Sequence, residues 1–144
     1  MHLESLTKYS IDYVFDDLWP RGVEELRKLG IPVEQEKAFF VEMIGKPFTG
    51  AAIDREGAPC ALIALQPHGE IKWTSHFAAT ETGFKNAWLP LSIFLRKLSS
   101  RLAKDGGTIQ VRSAFGDGDV RQWFEVMGFQ YRGYAGPCHF YSKG

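Results

Sequence analysis

Four histidines (His2, His68, His76 and His139) and two cysteines (Cys60 and Cys138) are the side chains of this sequence best suited to metal or nucleophilic chemistry. Their spacing argues against both. No two stand at the short intervals that let ligands converge on zinc. Cys138 and His139 are neighbours that a strand would point to opposite faces, so they do not make a thiol–imidazole pair, and Cys138 reads as a small core residue. Gly116-Asp117-Gly118-Asp119 has the acidic look of a calcium loop but lacks the ligand spacing and the closing glutamate. What remains is Glu70, Ser75 and His76 in or beside one β-prone run. His76 suits proton transfer because an unperturbed imidazole titrates near neutrality. Alternation puts Trp73, Ser75 and Phe77 on one face and Thr74 and His76 on the other, so only one set can face a reacting molecule. A structural or exposed histidine is the competing reading.

The elements that must position these residues fall into two parts. His2 to Leu6 alternates weakly, as a short strand. Ser10 then precedes Ile11, Val14, Phe15 and Leu18 at helical spacing. Pro20 suits a first helical turn, with Val23, Leu26 and Leu29 on one face and Gly30 as the stop. Phe39, Phe40, Met43 and Ile44 form a third stripe behind the acidic turn Glu34 to Glu36. From Phe48 the character changes. Thr49 to Ile53, Cys60 to Leu65 and Ile71 to Phe77 are β-prone runs separated by turn residues, and predict an antiparallel meander. A long helix from about Ala87 to Lys104 follows, with Pro90 compatible only with its first turn. Thr108 to Ser113 is a strand, Asp119 a candidate cap for a short helix Val120 to Met127, and Gly128-Phe129 leads to a closing hairpin turned by Ala135-Gly136-Pro137. A single domain over residues 1–144 is expected.

Composition excludes several function classes. Lys plus Arg and Asp plus Glu each number 17, so no net field exists to hold nucleic acid or an acidic membrane. The basic set Arg96, Lys97, Arg101 and Lys104 spreads over more than one helix face and reads as solvated surface. Two cysteines are too few for a disulfide framework, and the N-terminal residues show neither a signal peptide nor an anchor, so a cytoplasmic protein is expected.

The order meander, long helix, strand, short helix, Gly-Phe, hairpin, together with Trp123-Phe124-Glu125-Val126-Met127-Gly128-Phe129, resembles the GNAT acyltransferases from about Phe48 to the C-terminus. The resemblance implies a mixed α/β (α+β) fold: a centrally splayed sheet flanked by helices, with acetyl-coenzyme A in the wedge between the Ile71–Phe77 and Thr108–Ser113 runs. Phe77 would line the pantetheine arm. A Gln/Arg-x-x-Gly-x-Gly/Ala loop would hold the pyrophosphate, and Thr80-Glu81-Thr82-Gly83-Phe84-Lys85 stands at that place. Only Gly83 matches, leaving Thr82, Gly83, Phe84, Lys85 and Asn86 as the implied phosphate contacts. The tyrosine that returns a proton to the thiolate is replaced by Phe124, and the residue one turn earlier that contacts the pantetheine is Asp117. Ser75 or His76 would serve as base and Tyr131, Tyr134 or a water as acid. A backbone left unpaired by the splay must be satisfied, so the cleft is expected not to be apolar and empty, unless Phe84 or Trp88 folds into it.

The implied function is transfer of an acetyl group to an unidentified amine. The alternative is a catalytically inactive protein of the same fold that binds a protein partner. Trp73, Thr74 and Ser75 and the poor cofactor signature also resemble small GNAT-like proteins of T7-type phages, including an internal virion protein, which would place the chain in a host cytoplasm or a particle.

Overall fold

The computed structural model describes Met1–Gly144, and its frame is one seven-stranded sheet in the order β1-β2-β3-β4-β5-β7-β6. The strands are β1 (His2–Glu4), β2 (Thr49–Ile53), β3 (Pro59–Pro67), β4 (Lys72–Ala79), β5 (Thr108–Ser113), β6 (Gln130–Ala135) and β7 (Cys138–Lys143). Every neighbouring pair is antiparallel except β4 and β5. That parallel pair needs a crossover, which is the helix α4 (Glu81–Lys104).

Three helices precede the meander: α1 (Lys8–Asp16), α2 (Pro20–Leu29) and α3 (Val33–Glu42). The start of α1 differs from the sequence reading. Thr7 is the cap, its hydroxyl accepting from the Ser10 N–H at 3.1 Å while the Ser10 hydroxyl accepts from the Thr7 N–H at 3.0 Å. Ser10 therefore sits inside the first turn as the reciprocal half of a capping box. At the other end of the chain Asp117 occupies the N-cap position of α5 (Gly118–Val126) without a side-chain capping bond, and Asp119 lies in the first turn, where a carboxylate suits the positive end of the helix.

Helix α4 also begins earlier than its apolar stripe suggests. Pro90 has no N–H to offer the Asn86 carbonyl, and its ring would press on that group. The chain answers with a kink at Ala87, at φ −130° and ψ 19°. The expected helix is the segment after the kink, and Glu81 to Asn86, read from sequence as a loop, are a helical segment before it.

Helices α1 and α3 cover one face of the sheet, burying Ile11, Val14, Phe40 and Met43 against Ala51, Ile53, Leu62, Ala64 and Ala78. Helix α4 covers the other, with Leu91 against Ala52, Cys60, Ala61 and Ala79. Alanines on the inner strands let both helices come close. Gly83 carries this furthest: a Cβ there would lie 2.5 Å from the Cβ of Cys60 and from the Thr80 hydroxyl. A third cluster, Leu65, Ile109, Phe124, Met127, Phe129 and Tyr141, joins α5 to the C-terminal strands. By contrast α2 contains no buried residue.

Two glycine substitutions test this packing. Gly83→Ala should destabilise by about 1–3 kcal/mol in chemical denaturation, the usual range for overpacking. Gly128, at φ +93°, follows α5, and Gly128→Ala should cost about 1 kcal/mol because that backbone conformation strains any side chain. An unchanged midpoint in either variant would contradict the geometry at that site.

Candidate active site

The site follows from where β4 and β5 part. Their register runs from Lys72↔Thr108 to Ser75↔Val111 and stops. Beyond it β5 stays with β7, through Arg112↔Phe140 and Ser113↔His139, while β4 stays with β3 as far as Ala61↔Ala79. A wedge opens between His76–Ala79 and Arg112–Ser113. The Thr80 N–H bonds to Cys60 of β3, so even-numbered residues of β4 turn their backbone groups to β3 and odd-numbered ones to β5 or the wedge.

The wedge is partly closed by the chain itself. The α1–α2 linker reaches the end of β4: Leu18 bridges Thr80, and the Trp19 N–H donates to the Ala79 carbonyl at 3.0 Å. Between Ser75, paired to β5, and Ala79, paired to Trp19, only Phe77 turns its backbone N–H and C=O into the wedge. The same linker meets the start of α4. The Asp17 carbonyl accepts from the Glu81 N–H at 2.8 Å, and its carboxylate from the Thr82 N–H at 3.4 Å. The Thr80 hydroxyl takes the Gly83 N–H at 2.9 Å, and its carbonyl the Phe84 N–H at 3.0 Å. The donors that a helix N-terminus would offer an anion are thus already used.

Below this closure lies a cavity of about 350 Å³, lined mostly by apolar side chains from β4, β5, α2, α4 and α5. The expectation of a cleft that is not apolar is corrected here: the lining is mostly hydrophobic, and the linker meets one of the freed backbone groups, the Ala79 carbonyl. Phe84 does fold toward the wedge, its ring 3.7 Å from that of Trp19 and edge-on to it, whereas Trp88 is 47% exposed on α4.

The polar groups of the cavity are few. His76 faces the α1–α3 side, where its Nδ1 lies 3.0 Å from the Glu36 carboxylate and its ring stacks on Phe39 at 3.9 Å. Both side chains are largely buried, 15% and 12% exposed. His76 Nε2 and Trp19 Nε1 are buried without a protein partner. Glu25 of α2 accepts from the Ala114 N–H at 3.0 Å and from the Ser113 hydroxyl. Burial holds the Glu25 carboxyl above its ordinary pKa, against those two hydrogen bonds, with a smaller contribution from Glu36.

Of the residues singled out from sequence, Ser75, His76, Phe77 and Phe124 line this cavity together. Ser75 and Phe77 face α4 and α5, with Phe77 6.0 Å from Trp123, and His76 faces the other side, as alternation requires. Thr82, Lys85, Asn86 and Asp117 are exposed outside it, Phe84 is half-buried beside Trp19, and Gly83 is buried against Cys60. Tyr131 also lies outside, its hydroxyl 2.8 Å from His139 Nδ1. Burial pushes the Tyr141 hydroxyl up to about 12 and the Cys60 thiol up to about 11, so neither gives up a proton near neutrality. Sequence reasoning missed Asp17, Trp19, Glu25 and Glu36. Glu36 was legible only as part of an acidic first turn, since its partner is 40 residues away.

No family model matches the sequence, and no curated protein matches it. Solved structures do. PaiA N-acetyltransferase from Thermoplasma acidophilum, in complex with coenzyme A, superposes with a TM-score of 0.69 at 9% identity over 99% of this chain and 97% of that one. An acetyltransferase of the GNAT family from Bacillus anthracis gives 0.67 at 12% identity over 97% and 92%. Aminoglycoside 6'-N-acetyltransferase from Enterococcus faecium gives 0.61 at 17% identity over 99% and 96%. The fold of this chain is therefore the GNAT acyltransferase fold, with its sheet opened between β4 and β5. The resemblance to phage virion proteins finds no support in these neighbours. No helix is long and apolar enough to cross a membrane.

Glu25 gives a pH test. A carboxyl whose pKa is higher folded than unfolded destabilises the fold as pH rises from the unfolded value, near 4.5, to the folded one, and by a constant amount above it. Glu25→Gln keeps an acceptor oxygen and removes that penalty. Its melting temperature relative to the native protein should therefore rise as pH increases above about 4.5. A difference that does not change with pH would mean that Glu25 titrates as an ordinary surface carboxyl.

Proposed function

We propose that this protein transfers an acyl group from an acyl-coenzyme A thioester to an amine, with His76 as general base and Glu36 as the residue that orients it. The observation that carries this reading is the His76 imidazole, with one nitrogen against a carboxylate and the other buried, without a partner, in a residue that lines the cavity. An ionised carboxylate only accepts, so in the neutral imidazole the proton lies on Nδ1 and Nε2 keeps its lone pair. That lone pair takes a proton from the amine nitrogen as it attacks the thioester carbonyl carbon. The C–N bond forms, the C–S bond breaks, and the proton is passed to the departing thiolate.

The coenzyme supplies the activated acyl carbon. The residues of this chain hold it, exclude water and take the proton. Phe77 is suited to hydrogen-bond the amides of the pantetheine arm, because its backbone N–H and C=O turn into the wedge. Ser75 offers a hydroxyl on the same face, and Phe124 an apolar wall. Lys85 and Asn86 are the exposed groups before the α4 kink that could meet the diphosphate. The backbone N–H groups of Thr82 and Gly83 are less apt because they already have partners. Asp117 and Tyr131 lie farther out and act, on this reading, only through parts of the ligand outside the cavity. Coenzyme A in complex with two of the structural neighbours supports the class of donor.

One observation favours a second reading. The first turn of α4 is capped by Asp17 and Thr80, which weakens the case for a bound diphosphate and is what a binding protein that has lost catalysis would tolerate. Thiol release from acetyl-coenzyme A in the presence of a panel of primary amines separates the two. The enzyme reading expects turnover, with kcat lowered about 10²–10⁴-fold in His76→Ala and the KM for acetyl-coenzyme A little changed. No turnover with any amine, and no heat on titration with coenzyme A, would leave the binding protein.

A further inference from the structure

The cavity constrains what it can hold more tightly than the fold does. Its volume of about 350 Å³ is near the lower end of the roughly 300–1,000 Å³ of small-molecule sites, so the occupant is compact. Its acceptor side is walled by Phe15, Leu26 and Leu29, none of which can satisfy a polar group. Its two carboxylates are both engaged: Glu36 with His76, and Glu25 with Ser113 and Ala114. Arg21 and Arg112, the arginines of the lining, are exposed and set against further positive charge. A second or third ammonium in this space would be desolvated without a partner. One ammonium is different. Glu25 and Glu36, both in the lining, can flank it.

We infer that the cavity binds a monoamine whose single amino group is carried on a compact apolar or aromatic body, and that it rejects polyamines and aminoglycosides. This deepens the acyl-transfer reading by naming the class of its acceptor, but the binding it describes requires no acyl donor. It also separates this chain from structural neighbours whose names state spermidine or an aminoglycoside as substrate.

The test is a titration of the full chain, without any thioester, followed by tryptophan fluorescence from Trp19 and Trp123, both in the lining. The probes are 2-phenylethylamine, 2-phenylethanol and spermidine. Phenylethylamine is expected to saturate, with the neutral alcohol and spermidine each binding at least about tenfold more weakly. Leu26→Trp fills the cavity from α2, a helix with no buried residue, so the variant should fold and lose phenylethylamine binding. Spermidine binding as tightly as phenylethylamine, equal binding of the alcohol, unaltered binding in a folded Leu26→Trp variant, or no phenylethylamine binding would each overturn the inference. Addition of acetyl-coenzyme A to the bound amine is read separately. Amine binding without thiol release would sink acyl transfer and leave the monoamine site standing.

Discussion

The structure turns on the parting of β4 from β5 after Ser75 and Val111. Backbone groups cannot be left bare inside a protein, so a parallel pair that separates in the middle of a sheet creates a demand that something must meet. Here β5 remains with β7 and β4 with β3, which leaves one edge of β4 open toward the wedge. The α1–α2 linker meets the demand at the Ala79 carbonyl and the Glu81 N–H. The backbone groups of Phe77 are left for a ligand, and the cavity lies beside them.

That single docking event arranges much of the site. Trp19 reaches β4 through its backbone and Phe84 through its ring, so α2 starts directly over the opening. Glu25 on α2 then ties the helix to Ser113 and Ala114 at the end of β5. Helix α2 buries none of its own residues, and these polar ties, with Lys28 over the ring of Phe115, position it. On the far wall the Trp123 indole donates to the Ser92 hydroxyl at 2.7 Å, which in turn donates to the Trp88 carbonyl, joining α5 to α4. The cavity is therefore walled by helices held through hydrogen bonds at its rim and apolar packing behind.

The same linker gives the site its mixed character. Asp17 uses its carbonyl and carboxylate on the first N–H groups of α4, which makes that end a poor anion cradle. The opposite end of the chemistry is well made: a carboxylate-held imidazole, a second buried carboxyl and apolar walls. The acceptor half of this molecule is better built for ligand recognition than the phosphate half.

Much of this was legible in the sequence, because local physics decides it. The alternation of Trp73 to Phe77 fixed which side chains share a face, and the structure keeps His76 apart from Ser75 and Phe77. The meander, the crossover helix and the Gly128-Phe129 stop follow from periodicity and turn chemistry, which act over a few residues. Where local signals competed, the reading slipped. Thr7 and Ser10 are both good caps, as are Asp117 and Asp119, and in each pair the earlier residue takes the cap position. Gly83 looked like a phosphate-loop glycine, but the approach of α4 to Cys60 is what requires it. The tertiary structure alone decided the site itself. Glu36 meets His76, Glu25 meets Ala114 and Trp19 meets Ala79 across 40, 89 and some 60 residues of chain, and no periodicity spans such distances. Those contacts exist because the sheet opens at one place, and the helices from the other end of the sequence are what close it.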